Sequence, residues 1–224
     1  MRLIVFDCDG TLVDSQHLIV EAMGAAFGAN GLPAPARSQV LRHIGLSLSE
    51  ALAAIGETGD EALILSLVAA YKTAFTGMRQ RPGFVEPFFP GVRETVEALA
   101  GDERVLLGVA TGKSRRGLDL LLQREGLAYA FATLQTADDA PSKPHPGMLQ
   151  RAMSETGMRP ADTIMIGDTS YDMLMARNAG AVPIGVAWGY HTAQELTEAG
   201  ALAVAEDSEQ LMALLAMLEA RAAE

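Results

Sequence analysis

The chain is short of several things that would point to particular kinds of function. It has a single cysteine, Cys8, so no internal disulfide can form and a reducing compartment is the simplest home. Basic side chains are scarce: 17 Lys and Arg stand against 28 Asp and Glu, a formal net charge of -11 with a pI near 4.8. With no basic cluster, and no basic stripe interleaved with aromatics, no nucleic-acid partner is expected. Long hydrophobic runs are missing too. No segment reaches bilayer-spanning length, and the apolar run at the N-terminus is too short for a signal-peptide core, so no membrane association and a cytoplasmic location are expected. Internal repeats and low-complexity tracts are absent. What remains is ordinary globular composition, 49% hydrophobic and 20% charged over 224 residues, enough for one large domain or two smaller ones.

The most informative stretch lies at the start. Leu3 to Phe6 form a continuous, β-branched-rich apolar run, the pattern of a strand buried on both faces of a parallel sheet. Asp7 and Asp9 follow where that strand emerges. Positions i and i+2 of a strand point the same way, which predicts both carboxylates in one pocket and Cys8 turned into the protein. Gly10 permits a sharp turn, and Thr11 offers a hydroxyl to pin it. Two carboxylates so close repel and raise the proton affinity of at least one unless a cation intervenes, which suits a metal-assisted nucleophile and acid/base pair.

Beyond Ser15, a plausible N-cap, Leu18, Ile19, Ala22, Met23, Ala26 and Phe27 recur at helical spacing. Residues 36 to 80 carry only helical patterns, notably Ser47 to Ile55 and Asp60 to Phe75. Residues 16 to 81 therefore read as a small helical bundle inserted after the first strand. The Pro-, Gly- and aromatic-rich stretch from Arg81 to Gly91 reads as a defined return linker. Strands are then predicted at 104–110, more weakly at 131–135, and at 163–167, 182–187 and 202–205. They alternate with helices at 91–100, 114–125, 146–157, 171–179, 192–198 and 208–221. This alternation predicts an α/β fold: a doubly wound, mostly parallel sheet formed by 1–15 and 82–224, with ligands at the carboxyl ends of its strands.

Three further segments end near that same edge. Val105 to Ala110 delivers Thr111-Gly112-Lys113-Ser114 ahead of a helix, placing a hydroxyl and free amides where an anion is favoured, with Ser114 as a cap. No glycine stands at position 107, so the string is not a Walker-type loop. In Ser142-Lys143-Pro144-His145-Pro146, proline holds the preceding residues extended and fixes Lys143 as a point charge, while His145 reads as structural. Thr163 to Gly167 is a third apolar strand, ending in Asp168, with Asp172 one helical turn further on. Two carboxylates at that spacing suit Mg²⁺, and Ser170 or Asp172 is also placed to cap the helix.

Asp7 to Ser15, Thr111, Lys143 and the Gly-Asp-x-x-x-Asp string, in that order and with a helical insertion after the first, resemble the four motifs of the haloacid dehalogenase superfamily of phosphohydrolases. The likeness covers essentially the whole chain and is nearest to the capped phosphoglycolate phosphatase and β-phosphoglucomutase-like members. It implies that Asp7 is the nucleophile, forming an aspartyl-phosphate, and that Asp9 is the acid and then the base. It further implies Mg²⁺ held by Asp7, the Asp9 backbone carbonyl and Asp168, with Asp172 in or near the second shell. Thr111, Gly112 and Lys143 bind the phosphate in this reading, and residues 16–81 are a cap over the site. The expected substrate is a small phosphorylated metabolite, with Arg42, His43 and Gly45 of the cap facing it, and the expected assembly is a monomer or homodimer. The alternatives are a phosphomutase, a phosphatase of sugar phosphates, nucleotides or pyrophosphate, and a non-catalytic binding protein. Arg37, Arg42, Lys72, Arg79 and Arg81 are scattered through the insertion and form no obvious second phosphate cradle, which disfavours the mutase. A dehalogenase is disfavoured by Asp9, which such relatives lack.

Overall fold

The computed structural model describes residues 1–222. Strand β1 (Arg2–Phe6) leads into four helices, α1 (Gln16–Ala29), α2 (Arg37–Arg42), α3 (Leu48–Ile55) and α4 (Glu61–Arg79). The chain then alternates: α5 (Val92–Ala100), β2 (Val105–Thr111), α6 (Arg115–Arg124), β3 (Thr133–Thr136), α7 (Gly147–Thr156) and β4 (Thr163–Gly167). It finishes with α8 (Ser170–Ala179), β5 (Val182–Val186), α9 (Ala193–Glu198), β6 (Ala203–Ala205) and α10 (Ser208–Ala222).

The strands lie in the order β3-β2-β1-β4-β5-β6, and every neighbouring pair is parallel. From β3 the chain crosses back past β1 to β4, so strand order reverses between β1 and β4. Such a reversal opens a crevice at the carboxyl ends, which is where Asp7 and Asp168 emerge. The alternation along β1 decides its faces. Ile4 and Phe6 join an apolar cluster with α5, α6 and α10, through residues such as Val96, Leu118 and Leu211. Leu3 and Val5 join the opposite cluster, with Met148 and Leu149 of α7 and Met175 of α8. A strand sandwiched in this way must be apolar throughout until it leaves the sheet.

Helices α1 to α4 pack around an apolar cluster of their own, Met23 and Phe27 of α1 meeting Leu52 of α3 and Leu67 and Phe75 of α4. The chain enters and leaves this layer along two adjacent crossings. Val13 forms an antiparallel bridge with Phe88, the Asp14 N–H donates to the Pro87 carbonyl at 2.8 Å, and the Phe89 N–H donates to the Leu12 carbonyl at 3.1 Å.

Several expectations shift in detail. Helix α2 was not singled out by periodicity, being only two turns long, and α4 runs on to Arg79, beyond the expected Phe75. The third strand begins at Thr133 rather than 131, and β2 includes Thr111. Ser15 does occupy the N-cap position of α1, but its hydroxyl makes no capping bond. Among the described residues no helix is long and apolar enough to cross a membrane.

Candidate active site

Asp7 is the first residue beyond β1, its N–H still bonded to the Ile166 carbonyl of β4 at 2.9 Å. Its side chain is buried. Oδ1 accepts the Cys8 N–H at 2.6 Å and lies 2.9 Å from Lys143 Nζ, while Oδ2 has no hydrogen-bond partner. Burial pushes this carboxyl up to about 7 despite the opposing Lys143, and the Asp172 charge adds to the rise. A buried, unpaired carboxylate oxygen is costly unless a cation or a reacting electrophile meets it.

Asp168, at the end of β4, is buried beside it. Its Oδ1 accepts the Thr11 hydroxyl at 2.7 Å and its Oδ2 the Tyr190 N–H at 2.9 Å. The Thr11 hydroxyl thus reaches across to Asp168 instead of pinning its own turn. Gly10 makes this approach possible: it adopts φ +94°, and a Cβ there would overlap the Asp168 carboxylate. Burial holds Asp168 well above the usual carboxylate range, with the Asp7 and Asp172 charges contributing.

Asp172 completes the cluster. Helix α8 has Thr169 rather than Ser170 at its N-cap, and Asp172 takes its expected part in the capping: the Asp172 N–H donates to Thr169 Oγ1 at 3.4 Å, while Asp172 Oδ2 accepts the Thr169 N–H at 3.1 Å and hydroxyl at 2.7 Å. Its Oδ1 accepts from Lys143 Nζ at 2.6 Å. One carboxylate oxygen from each of Asp7, Asp168 and Asp172 lies within 4.8 Å of the others. Three buried carboxylates against one lysine leave an excess of negative charge. Together with the orphaned Asp7 Oδ2, this all-oxygen set fits a hard divalent cation. Lys143 is fully buried between Asp7 and Asp172, whose charges hold its ammonium above the usual lysine value although burial alone would lower it.

Asp9 stands outside this trio. The strand ends at Phe6, so the period-2 argument does not govern the turn; Asp7 and Asp9 do line one cavity but make different bonds, while Cys8 joins the apolar core. Asp9 Oδ1 accepts the Ser15 hydroxyl at 2.6 Å and the Lys113 ammonium at 2.7 Å. Lys113 Nζ is also 2.8 Å from Glu86 Oε1 and 5.7 Å from the centroid of the Phe75 ring of α4.

Above these groups is a cavity of about 620 Å³. Its floor includes Asp7, Asp9, Thr111, Gly112, Lys113 and Ser114, the last capping α6 by accepting the Gly117 N–H at 3.2 Å. A stripe of α4 walls one side, with Val68, Tyr71, Phe75 and Arg79 at helical spacing. The loop after α2 closes the other, where His43, Gly45 and Leu46 line the space. The Arg42 side chain does not line it; this residue is exposed, and its carbonyl accepts the Tyr171 hydroxyl at 3.3 Å. Of the other scattered cations, Lys72 and Arg79 line the cavity, Arg81 pairs with Glu21 and Arg37 bonds Gln16. His145 is exposed and accepts the Gly147 N–H through Nδ1.

Sequence reasoning passed over Lys113, Glu86 and Tyr190. Lys113 sits inside the Thr-Gly-Lys-Ser string and was within reach of that argument. Glu86, an acid flanked by Val85 and Pro87 in an apolar linker, was a weaker signal, and Tyr190 meets Asp168 through its backbone N–H, a contact that leaves no trace in residue type.

Residues 4–186 match the model of the haloacid dehalogenase-like hydrolases. The chain is 39% identical to the probable phosphatase IndB of Dickeya dadantii, over 88% of this chain and 86% of that protein. It is 31% identical to a phosphoglycolate phosphatase of Vibrio vulnificus, over 95% of each. Among solved structures, a predicted phosphatase from Clostridium acetobutylicum shares the fold with a TM-score of 0.86, at 24% identity over 96% of this chain and 98% of that one.

Proposed function

Because the chain belongs to the haloacid dehalogenase-like hydrolase family, we propose that it is a Mg²⁺-dependent phosphatase that hydrolyses a small phosphomonoester through an aspartyl-phosphate on Asp7. The observation that carries this reading is the buried, unpartnered Oδ2 of Asp7 at the floor of the cavity, its other oxygen being held by Cys8 and Lys143.

Asp7, Asp168 and the Asp9 carbonyl would hold the metal, with Asp172, whose carboxylate lies in the same cluster and is fixed by Lys143 and Thr169, in or near the second shell. When bound, the metal supplies positive charge for the phosphoryl oxygens and for Asp7. Asp7 attacks phosphorus while Asp9 gives its proton to the departing alkoxide. Asp9, again a carboxylate, then takes a proton from the water that attacks the acyl-phosphate and releases Asp7. The Ser15 hydroxyl and Lys113 orient Asp9 for both steps. Thr111, the Gly112 amide and Lys143 meet the remaining charge on the phosphoryl group, the largest demand of such a transfer. Helices α1 to α4 form the cap, which excludes bulk water and reads the leaving group through His43, Gly45 and the α4 stripe.

The likeness to a phosphoglycolate phosphatase supports phosphoglycolate as the first substrate to try. Phosphate release would be measured with Mg²⁺ across phosphoglycolate, sugar phosphates, nucleotides and pyrophosphate, alongside Asp7→Asn. Hydrolysis of at least one, lost in that variant and on chelation, is expected. Equal turnover by Asp7→Asn would remove Asp7 from the chemistry.

A further inference from the structure

Among the described residues, Glu86 is the buried carboxylate to which the proposed chemistry gives no part; Asp7, Asp9, Asp168 and Asp172 all have one. It lies in the return linker, just before the crossing in which Phe88 pairs with Val13, and is 2% exposed. An acid in such a place is costly to bury without a cation. Its Oε2 lies 3.5 Å from Arg124, whose side chain is one-third exposed, and its Oε1, with no hydrogen bond of its own, stands 2.8 Å from Lys113 Nζ.

Lys113 therefore has two carboxylates at nearly equal distance, Asp9 at 2.7 Å and Glu86 at 2.8 Å. With Asp9 as its one anionic partner, the ammonium would be tied to a single carboxylate and free to turn about it. Glu86, as a second carboxylate, shares that hold and fixes the ammonium at the cavity that Lys113 lines. The Phe75 ring of α4 adds a cation–π contact, its centroid 5.7 Å from Lys113 Nζ.

We propose that Glu86 is a positioning residue for this reaction: it holds the Lys113 ammonium between Asp9 and the phosphate seat, so that one lysine both orients the acid/base and meets a phosphoryl oxygen. The proposal rests on the phosphatase reading given above.

A double-mutant cycle separates this role from a structural one. Glu86→Gln is expected to lower kcat about 10-fold with KM within about twofold, a fraction of the effect of a lost acid/base group. Lys113→Met is expected to lose more, and Glu86→Gln in the Lys113→Met background is expected to cost nothing further. A Glu86 that only supports the fold lowers turnover equally in both backgrounds, and that additive result overturns the proposal. Should Glu86→Gln fail to fold, Arg124→Gln removes the outer partner of Glu86 and is read in the same cycle, with a smaller fall expected in the wild-type background and none in Lys113→Met.

A readout independent of turnover distinguishes failure of this proposal from failure of the phosphatase reading. Amine acylation of Lys113 by an N-hydroxysuccinimide ester, followed by mass spectrometry, is expected to be faster in Glu86→Gln than in wild type. Equal labelling overturns the positioning role whether or not a substrate has been found, whereas a wild-type protein inactive on every phosphate ester overturns the phosphatase reading alone.

Discussion

The backbone N–H of Ser47, in the loop leading into α3, donates to the hydroxyl of Ser142 at 2.8 Å, and Ser142 is the residue next to Lys143. The segment that carries the buried lysine is thus also a docking point for the helical layer. Ser142→Ala leaves the Ser47 amide without this partner at the closed seam, a loss of about 1 kcal/mol that corresponds to a KM roughly 5-fold higher. Steady-state kinetics on the best substrate check it, with thermal stability expected to stay near wild type.

Gly112→Ala tests the same seam more severely. A Cβ at Gly112 would overlap the Leu46 carbonyl oxygen, so the loop after α2 cannot seat on the β2 turn without moving. We expect kcat/KM to fall at least about 10-fold, since small misplacements of a positioned group are costly, while the unfolding midpoint of the sheet core hardly changes. Normal kcat/KM in this variant would mean that the seam opens freely during turnover.

Lys143→Met removes the cation from three buried carboxylates. Breaking a buried ion pair on one side costs about 3 to 5 kcal/mol, and here two partners, Asp7 and Asp172, are stranded. Urea unfolding of the metal-free protein at neutral pH is expected to show a loss of that order. Asp172→Asn in the Lys143→Met background is expected to recover part of it.

Metal and pH act together on the same cluster. Asp7 has its carboxyl raised from 3.8 to about 7 by burial, so between those values the folded state holds a proton that the unfolded state has released. That contribution to stability is full below 3.8 and is lost as pH rises through about 7. Asp168, also raised by burial, acts in the same direction. Thermal unfolding with and without Mg²⁺ is therefore expected to show a larger stabilisation by the metal at pH 8 than at pH 5, because only the ionised cluster binds it well. A metal-induced shift independent of pH would contradict this.

The parallel sheet was legible in the sequence because its strands are buried on both faces and so read as unbroken apolar runs, and Asp7 and Asp168 fall where two of those runs stop. Ser15 and Thr11 were visible as polar residues near a turn, but their partners Asp9 and Asp168 were not: each chooses a carboxylate brought close by the fold over a local backbone amide. Arg42 shows the reverse relation between residue type and contact. Its residue type suggests substrate binding, yet it is its carbonyl that is used, at the seam with α8, while its side chain does not line the cavity. Contacts made by backbone atoms, and ion pairs such as Lys113 with Glu86 that join distant segments, are set by tertiary geometry and leave little local pattern to read.

The pairing of Val13 with Phe88 places the exit from β1 and the return to α5 a single hydrogen-bonded ladder apart. Helices α1 to α4 are therefore joined to the sheet through one narrow ribbon, in which both chain crossings share the same few hydrogen bonds. Because entry and exit are side by side, the helical layer is also a cassette, and a different one whose ends meet at the same spacing can be grafted there without rethreading the sheet, provided that it restores the contacts to Ser142 and Gly112.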